Sequence, residues 1–233
     1  MLVDGGGFWN PDALDIGESV LLPYFSRMGV TRLRRVFLTH AHADHMNGMI
    51  SMLRYIPVDE VLVTRRPLAD PGFQELCLTW LRDIHDVHSG TVFRHAGVTL
   101  RVLAPWDSGK ELHVANDDSL VMLAEYQGRR ALLTGDAEYE TEERMVKETL
   151  PRVDVLKVPH HGSRTSSTEP LLNAVRPRTA IISVGRNNWF GHPHPQVIRR
   201  YRQHHAMLYR TDQVGTIRVT LRKSGVSIQT YAW

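Results

Sequence analysis

Short apolar runs and amphipathic helical patterns alternate along most of the chain. Runs that are apolar or alternate in polarity predict strands, and they cover residues 36–39, 61–63, 91–93, 98–103, 119–126, 129–134, 153–158, 180–184, 207–209, 215–219 and 226–230. Apolar positions three or four apart predict helices, which cover residues 46–55, 74–86, 138–149, 169–175 and 195–204. Strands that alternate with helices are typical of a layered α/β architecture.

Local turn and capping residues support several of these elements. Gln127 and Gly128 predict a hairpin between two of the strands. Thr168 is a suitable N-cap for the helix that follows it. In the helix over 74–86, the spacing predicts that Leu76 and Ile84 share one apolar side.

The composition is that of an ordinary globular protein. The chain has 233 residues, of which 42% are hydrophobic and 23% are charged, so it can bury a core. The sequence shows no repeat, low-complexity stretch or Pro/Ser linker, which predicts a single domain over 1–233. No apolar run approaches the roughly 18 residues that a membrane span needs, and the N-terminus lacks the pattern of a signal peptide.

The first residues predict a chain that is part of a longer protein. Val3 has the pattern of a strand end that leads through Asp4 into three glycines, yet no strand partner precedes it. The single cysteine, Cys77, excludes an internal disulfide, and its leucine neighbours favour a small buried apolar role. The net charge of +3 permits an anionic partner without identifying one.

Histidine is the unusual component, with 13 residues in the chain. In the first tight group, a predicted strand leads into His40, His42, Asp44 and His45. Residues two apart in extended backbone project to the same side, so His40 and His42 face one way. Asp44 and His45 then lie at the turn into the next helix. The segment can present two ligand pairs, and imidazole with carboxylate suits Zn, Mn or Fe.

This segment resembles the signature of the metallo-β-lactamase fold family. Further motifs resemble the soluble domain of the ComEC-type DNA-uptake channel family, and they read Leu132-Leu133-Thr134-Gly135-Asp136, Lys157-Val158-Pro159-His160-His161-Gly162-Ser163 and Gly191-His192-Pro193-His194-Pro195. The resemblance covers nearly the whole chain. It implies an α/β fold, a metallo-β-lactamase-like αββα sandwich lacking its first strand or strands, with a hydrolytic metal site at one edge.

The resemblance also assigns ligands beyond the first group. Taken alone, Asp136 could be the N-cap of the helix after it, whereas the resemblance makes it the ligand that bridges two metals. One residue of the His160–His161 pair is expected to bind the second metal. We favour His161, with His160 packing, orienting or binding substrate. Ser163 and Arg164 either offer donors to a phosphate or belong to an ordinary polar loop.

One departure from the family concerns the first metal. Many members carry a histidine about twenty residues before the Gly-Asp ligand, where this chain has Asn116 and Asp117. Either residue is expected to substitute as an oxygen ligand, which shifts the preference from Zn towards Mn or Mg. Alternatively, the first metal is weakly held. The expected cofactors are two divalent metal ions, Mn or Zn, with Mg as a further option.

Other residues are expected to support the ligands or the substrate. The resemblance predicts that Asp4 hydrogen-bonds a ligand histidine, unless it is a plain turn residue. It also predicts that His192 contacts the substrate phosphate or acts as an acid, while His194 does the same or is structural. Trp189 and Phe190 could stack a base or anchor their loop against the core. The glutamates after Asp136 are expected to form a solvated helix face.

The resemblance implies a metal-dependent phosphodiesterase, foremost a DNA nuclease that degrades the non-transported strand during natural transformation. Asp44, Asp136 and His192 would be catalytic. The expected partners are DNA, as a single strand or duplex end, and the transmembrane channel portion of the same parent membrane protein, with this domain at the extracytoplasmic face. Two alternatives stay open. One is a hydrolase of another ester (phosphorylcholine esterase, lactonase or thioesterase type), and the other is a non-catalytic DNA-binding domain with a decayed metal site.

Overall fold

The computed structural model describes residues 1–8, 10, 14–64, 70–82, 84–106 and 116–232. The chain divides into two compact units. Unit 1 comprises residues 1–87 and 108–120, and unit 2 comprises residues 88–107 and 121–233.

Unit 1 is built on a four-stranded parallel sheet with the order β1-β2-β3-β4. Its strands and helices, in chain order, are β1 (Leu2–Val3), α1 (Leu22–Arg27), β2 (Leu33–Leu38), α2 (Ala43–Leu53), β3 (Val58–Val63), α3 (Pro71–Thr79) and β4 (Ile84–Asp86). A π-helical turn over Gly17–Leu21 leads into α1, and a 3₁₀ turn covers Asn116–Asp118. Apolar side chains of the strands and of α2 form one buried cluster, in which Val36, Met49 and Val61 are fully enclosed.

Close backbone contact between the N-terminal glycines and α2 determines where Asp4 lies. Gly5 N donates to His45 O at 2.7 Å, and Gly48 N donates to Gly6 O at 2.8 Å. A Cβ atom added to Gly48 would overlap the carbonyl oxygen of Gly5. The absence of side chains at both positions therefore brings the segment after β1 directly onto the helix that carries His45.

Unit 2 contains a seven-stranded mixed sheet with the order β11-β10-β9-β8-β7-β6-β5. Its strands and helices are β5 (Val92–His95), β6 (Val98–Ala104), β7 (Val121–Tyr126), β8 (Arg129–Leu133), α4 (Tyr139–Lys147), β9 (Val155–Lys157), α5 (Glu169–Val175), β10 (Thr179–Ile182), α6 (Pro195–Gln203), β11 (Met207–Arg210), α7 (Thr211–Val214), β12 (Thr216–Arg222) and β13 (Gly225–Tyr231). Strands β8 to β11 are parallel, β5 to β8 are antiparallel, and β12 pairs with β13 as a separate hairpin. A second buried cluster includes Leu156, Leu171 and Tyr201.

Most predicted elements are present, and two expectations are wrong. The helix predicted over 74–86 ends at Thr79, and Ile84 lies in β4, where it pairs with Val61 of β3. Tertiary pairing thus overrides the helical spacing. The strand that ends at Val3 does have a partner, because β1 pairs in parallel with β2. The helical turns from Gly17 to Arg27 were not predicted.

Two further predictions agree with the structure. Thr168 is the N-cap of α5, and its hydroxyl accepts a hydrogen bond from Leu171 N at 3.4 Å. Cys77 is partly buried and packs against the core of unit 1. Among the residues that the structure describes, no helix is both long and apolar enough to cross a membrane.

The contact between Gly5 and Gly48 predicts a specific loss of stability. Gly48→Ala should lower the free energy of unfolding by about 1–3 kcal/mol, because the clash is with backbone atoms that cannot rotate away. This figure already includes the roughly 1 kcal/mol by which alanine stabilises a helix relative to glycine. Urea denaturation followed by circular dichroism measures it.

Gly185→Ala is the matched control, since a Cβ atom there meets nothing within 4 Å. Its effect should stay within about 0.5 kcal/mol. Equal stability of the Gly48→Ala variant and the wild type would show that the close approach is unimportant.

Candidate metal-binding residues

The first histidine group lies where β2 ends and α2 begins. His42 is the N-cap of α2, and Asp44 lies in the first turn of that helix, where the helix dipole favours a negative charge. His40 Nε2 and His42 Nδ1 are 3.0 Å apart. Two nitrogen ligands of a tetrahedral zinc ion lie about 3.3 Å apart. These two nitrogens therefore fit a shared metal ion, and the buried ring of His45 lies 4.2 Å from that of His40.

Asp4 fixes the orientation of His45. Its Oδ2 lies 2.8 Å from His45 Nδ1, and its Oδ1 accepts a hydrogen bond from Thr39 N at 2.7 Å. Burial alone would raise the pKa of Asp4, but the interactions with His45 and the Thr39 amide outweigh it, so the pKa is lowered. An ionised Asp4 keeps the proton of His45 on Nδ1 and leaves Nε2 available as a metal ligand.

The segment that contains Asn116 and Asp117 lies beside His40 within unit 1. Ser119 Oγ is 3.4 Å from His40 Nδ1, and Leu120 N donates to Thr39 O at 2.9 Å. Asp117 is partly exposed in the 3₁₀ turn. This placement suits the predicted oxygen ligand, whose role stays a prediction.

In unit 2, Asp136 and His161 face each other. Asp136 is buried, and its Oδ2 lies 3.2 Å from His161 Nε2. The N-cap of α4 is Glu138, so the N-cap alternative for Asp136 is wrong. His161 Nδ1 lies 2.7 Å from the carbonyl oxygen of Ser183. Because a carbonyl only accepts, Nδ1 carries the proton and the Nε2 lone pair is directed towards Asp136.

His160 and His161 both have left-handed backbone, with φ values of 47° and 51°. Each such residue costs about 1–2 kcal/mol when it carries a side chain. His160 Nδ1 lies 2.8 Å from Glu138 Oε1, and Ser163 N donates to His160 O at 2.7 Å. The two imidazoles thus have different oxygen partners at Nδ1, and the choice of His161 over His160 as the ligand stays a prediction. Consecutive strained residues of this kind cluster at functional sites.

Two residues near this pair were missed by the sequence analysis. Lys157 Nζ lies 3.3 Å from Asp136 Oδ1 and donates to Gly135 O at 2.7 Å, so it supplies a positive partner for a buried carboxylate. Glu138 holds His160. Lys157 comes close to Asp136 because it ends β9, the parallel neighbour of β8, and the ends of neighbouring parallel strands meet at one edge. No local sequence signal indicates this pairing.

The glutamates of α4 do not all form a solvated face. Glu140 and Glu143 are exposed, as predicted. Glu142 is only 1% exposed and accepts hydrogen bonds from Ser167 N at 2.6 Å and Thr168 N at 2.7 Å. The prediction is wrong for Glu142, which secures the loop that follows the histidine pair.

His192 and His194 have separate environments. The His192 ring lies 5.5 Å from that of His160. Burial, together with His160, lowers the pKa of His192, which favours its neutral form. His194 Nδ1 accepts a hydrogen bond from Gln196 N at 3.2 Å as the N-cap of α6, so its structural alternative is supported.

The remaining predicted substrate residues lie in loops, where Ser163 is only 6% exposed. Ser163 Oγ lies 2.8 Å from Thr165 Oγ1, and Arg164 is exposed. Trp189 and Phe190 are also exposed. The interpretation that these two aromatic residues anchor their loop against the core is therefore wrong.

Comparison with known proteins identifies a family and several relatives. The model of the metallo-beta-lactamase superfamily matches residues 1–186. The chain is 34% identical over 207 residues to ComE operon protein 3 of Bacillus subtilis (strain 168), which covers 87% of this chain and 26% of that protein. It is 33% identical to Recombination protein 2 of Haemophilus influenzae, covering 98% of this chain and 27% of that protein. The chain thus spans about a quarter of these relatives' length.

A solved structure has a similar fold. It is CmlA, a diiron beta-hydroxylase from Streptomyces venezuelae, with a TM-score of 0.55 and 18% identity over 77% of this chain and 44% of that chain. At this identity, the similarity concerns the fold alone. Together with the family match, it confirms the predicted α/β fold class.

The Asp4–His45 contact predicts an effect on metal affinity. Asp4→Asn removes the charge that keeps the proton on His45 Nδ1, so the affinity for Mn²⁺ and Zn²⁺ should fall about 10–100-fold. Calorimetric titration of chelator-stripped protein measures this affinity. Asp59→Asn, which alters a carboxylate paired with the exposed Arg32, should leave it unchanged. Equal affinities in all three proteins would argue against a supporting role for Asp4.

Burial of Glu142 predicts a second effect, on stability. Glu142→Ala leaves two backbone N–H groups without their acceptor and should cost about 2–4 kcal/mol in the free energy of unfolding. Glu143→Ala, on the same helix, breaks only an exposed pair with Lys147 and should cost less than about 0.5 kcal/mol. Similar costs for the two variants, measured by urea denaturation, would contradict this assignment.

Proposed function

This chain belongs to the metallo-β-lactamase superfamily, and we propose that it is a metal-dependent phosphodiesterase that cleaves DNA. One observation carries the proposal. In each unit, a histidine that we propose as a metal ligand has its Nδ1 fixed by an oxygen atom. The oxygen belongs to Asp4 in the case of His45 and to the Ser183 carbonyl in the case of His161. Such partners set the tautomer and orientation of metal-binding imidazoles.

We propose that both groups of residues serve one reaction. Two divalent ions, Mn or Zn, would be held by the nitrogen and oxygen donors His40, His42, Asp44, His45, Asp117, Asp136 and His161. Bound metals of this kind lower the pKa of water and neutralise the charge of a phosphodiester. The donor set suits them, because it mixes imidazole with carboxylate.

Residues of the chain itself would position the phosphate and its leaving oxygen. Asp44 and Asp136 contribute negative charge that attracts divalent ions. His192 lies beside His160, and its neutral form can accept or share a proton at a ring nitrogen. Arg164 is exposed and can contact a phosphate oxygen, whereas Ser163 is buried and its hydroxyl contacts Thr165.

The relatives support DNA as the substrate. Their printed names include ComE operon protein 3, Recombination protein 2 and Competence protein ComA of Neisseria gonorrhoeae, the last 30% identical over 91% of this chain. Competence and recombination both involve the handling of DNA. The chain would therefore degrade the strand that is not imported, as part of a longer membrane protein with a channel portion.

The proposal predicts metal-dependent cleavage of DNA that requires both groups. Chelator-stripped protein should cleave end-labelled single- or double-stranded DNA once Mn²⁺, Zn²⁺ or Mg²⁺ is restored. Asp136→Asn in unit 2 and His40→Gln in unit 1 should each lower the rate by about 100-fold or more, because each removes a ligand. Gel electrophoresis of the labelled products measures the rates.

Glu140→Gln, an exposed change on α4, is the control and should retain the wild-type rate. Circular dichroism must show that all variants are folded. Cleavage that persists in Asp136→Asn would refute the mechanism. If the protein instead hydrolyses small carboxylic esters or thioesters and cleaves no phosphodiester, its substrate is a different class of ester.

A further inference from the structure

Two adjacent aromatic side chains project from the loop that precedes His192. Trp189 is 99% exposed and Phe190 is 68% exposed. Among the described residues, Trp189 is the most exposed large hydrophobic side chain. Single exposed apolar residues are common, but an adjacent pair of large rings that lies outside the core points to a ligand.

The loop is held in a defined conformation although the rings are exposed. Asn188 Nδ2 donates to His192 O at 2.6 Å, and Asn188 Oδ1 accepts from His192 N at 2.9 Å. Asn187 and Gly191 on either side have left-handed backbone, with φ values of 53° and 69°. The side chain of Asn188 thus closes the loop, and the aromatic pair is presented outwards without contributing to the core.

The aromatic pair is continuous with the histidines of unit 2. The Phe190 ring lies 6.0 Å from the His192 ring at an interplanar angle of 18°, which is a stacked arrangement. The His192 ring in turn lies 5.5 Å from that of His160. A flat group placed on the aromatic pair would therefore lie at the end of a row of rings that leads to the proposed phosphate contacts.

The surroundings of the rings identify the kind of ligand. Residues 185–192 contain no aliphatic side chain, and the cationic Arg186, whose Nε donates to Asp212 O, and the polar Asn187 precede the rings in the sequence. A membrane-inserting tip needs more apolar area, whereas a nucleobase needs a ring to stack on and polar or cationic groups beside it. Bases inside a duplex already stack on one another, so only an unpaired base can occupy this position.

We infer that Trp189 and Phe190 stack an unpaired nucleobase and so position single-stranded DNA, an inference that rests on the proposed DNA substrate. Stacking of this kind tolerates every base, because each base has a π-face. The two rings set a preference for single strands and frayed ends over closed duplex.

The test measures binding of a short, dye-labelled single-stranded oligodeoxynucleotide by fluorescence anisotropy, with the whole chain stripped of metal to prevent cleavage. The double variant Trp189→Ala/Phe190→Ala should raise the Kd by about 5- to 150-fold for each base that stacks. The single variant Trp189→Phe, which keeps an aromatic ring at this position, should retain most of the wild-type affinity. Tyr55→Ala, at an exposed aromatic residue outside the loop, should bind like the wild type.

An abasic oligonucleotide with the same number of phosphates separates stacking from charge. It should bind the wild type and the double variant equally weakly. If the double variant binds the intact oligonucleotide as tightly as the wild type, the inference is wrong. It is also wrong if the double variant loses only its binding to phosphatidylcholine–phosphatidylglycerol vesicles, which would assign the rings to a membrane.

Hydrolysis of bis(p-nitrophenyl) phosphate by the wild type with Mn²⁺ tests the proposed function separately, because this diester carries no nucleobase. Absence of that hydrolysis together with ring-dependent DNA binding would reject the phosphodiesterase and keep the stacking inference. Hydrolysis without ring-dependent DNA binding would keep the phosphodiesterase and reject the stacking inference.

Discussion

The left-handed backbone at His160 and His161 is the constraint around which much of unit 2 is arranged. Two such residues in succession cost about 2–4 kcal/mol, since each costs about 1–2 kcal/mol. Their side chains are held by Glu138, just before α4, and by the carbonyl oxygen of Ser183, just after β10. The loop that follows is secured by Glu142 from within α4. Backbone strain is thus balanced by hydrogen bonds from several elements, which also fix the orientation of the two imidazoles.

Unit 1 reaches a similar result by a different route. There the imidazole of His45 lies on a regular helix and its backbone is not strained. Its partner Asp4 is brought to it by the close approach of Gly5 and Gly48. The residues that matter most for this hydrogen bond therefore have no side chain, and a larger residue there would displace His45 through a shift of the backbone. Both units hold a histidine from its Nδ1 side, one through a carboxylate and the other through a carbonyl.

Features contained in one short segment could be predicted from the sequence, and features that depend on distant segments could not. The ligand-rich run from His40 to His45 follows a buried strand, so its placement at a strand end was predictable. The structural roles of Lys157 and Glu142 were not predicted, because they depend on pairing between β8 and β9 and on the packing of a loop against α4. Ile84 was assigned to a helix because its spacing fitted one, whereas pairing with β3 places it in a strand. The tight turn at His160 and His161 has no local sequence signal except Gly162, which follows the pair.

The fold itself does not determine the reaction. CmlA, a diiron beta-hydroxylase, shares this fold, so residues beyond the scaffold must determine the chemistry. Asp117 and Asn116 would add oxygen donors, which affects the choice of metal. In unit 2, many polar groups near the histidine pair are committed to internal hydrogen bonds that hold the two imidazoles and the loop after them. Trp189 and Phe190 are different, because their rings support neither the core nor a ligand. Changing them would cost the scaffold little, and under the proposed DNA substrate they are the residues of this loop at which specificity can vary without loss of the fold.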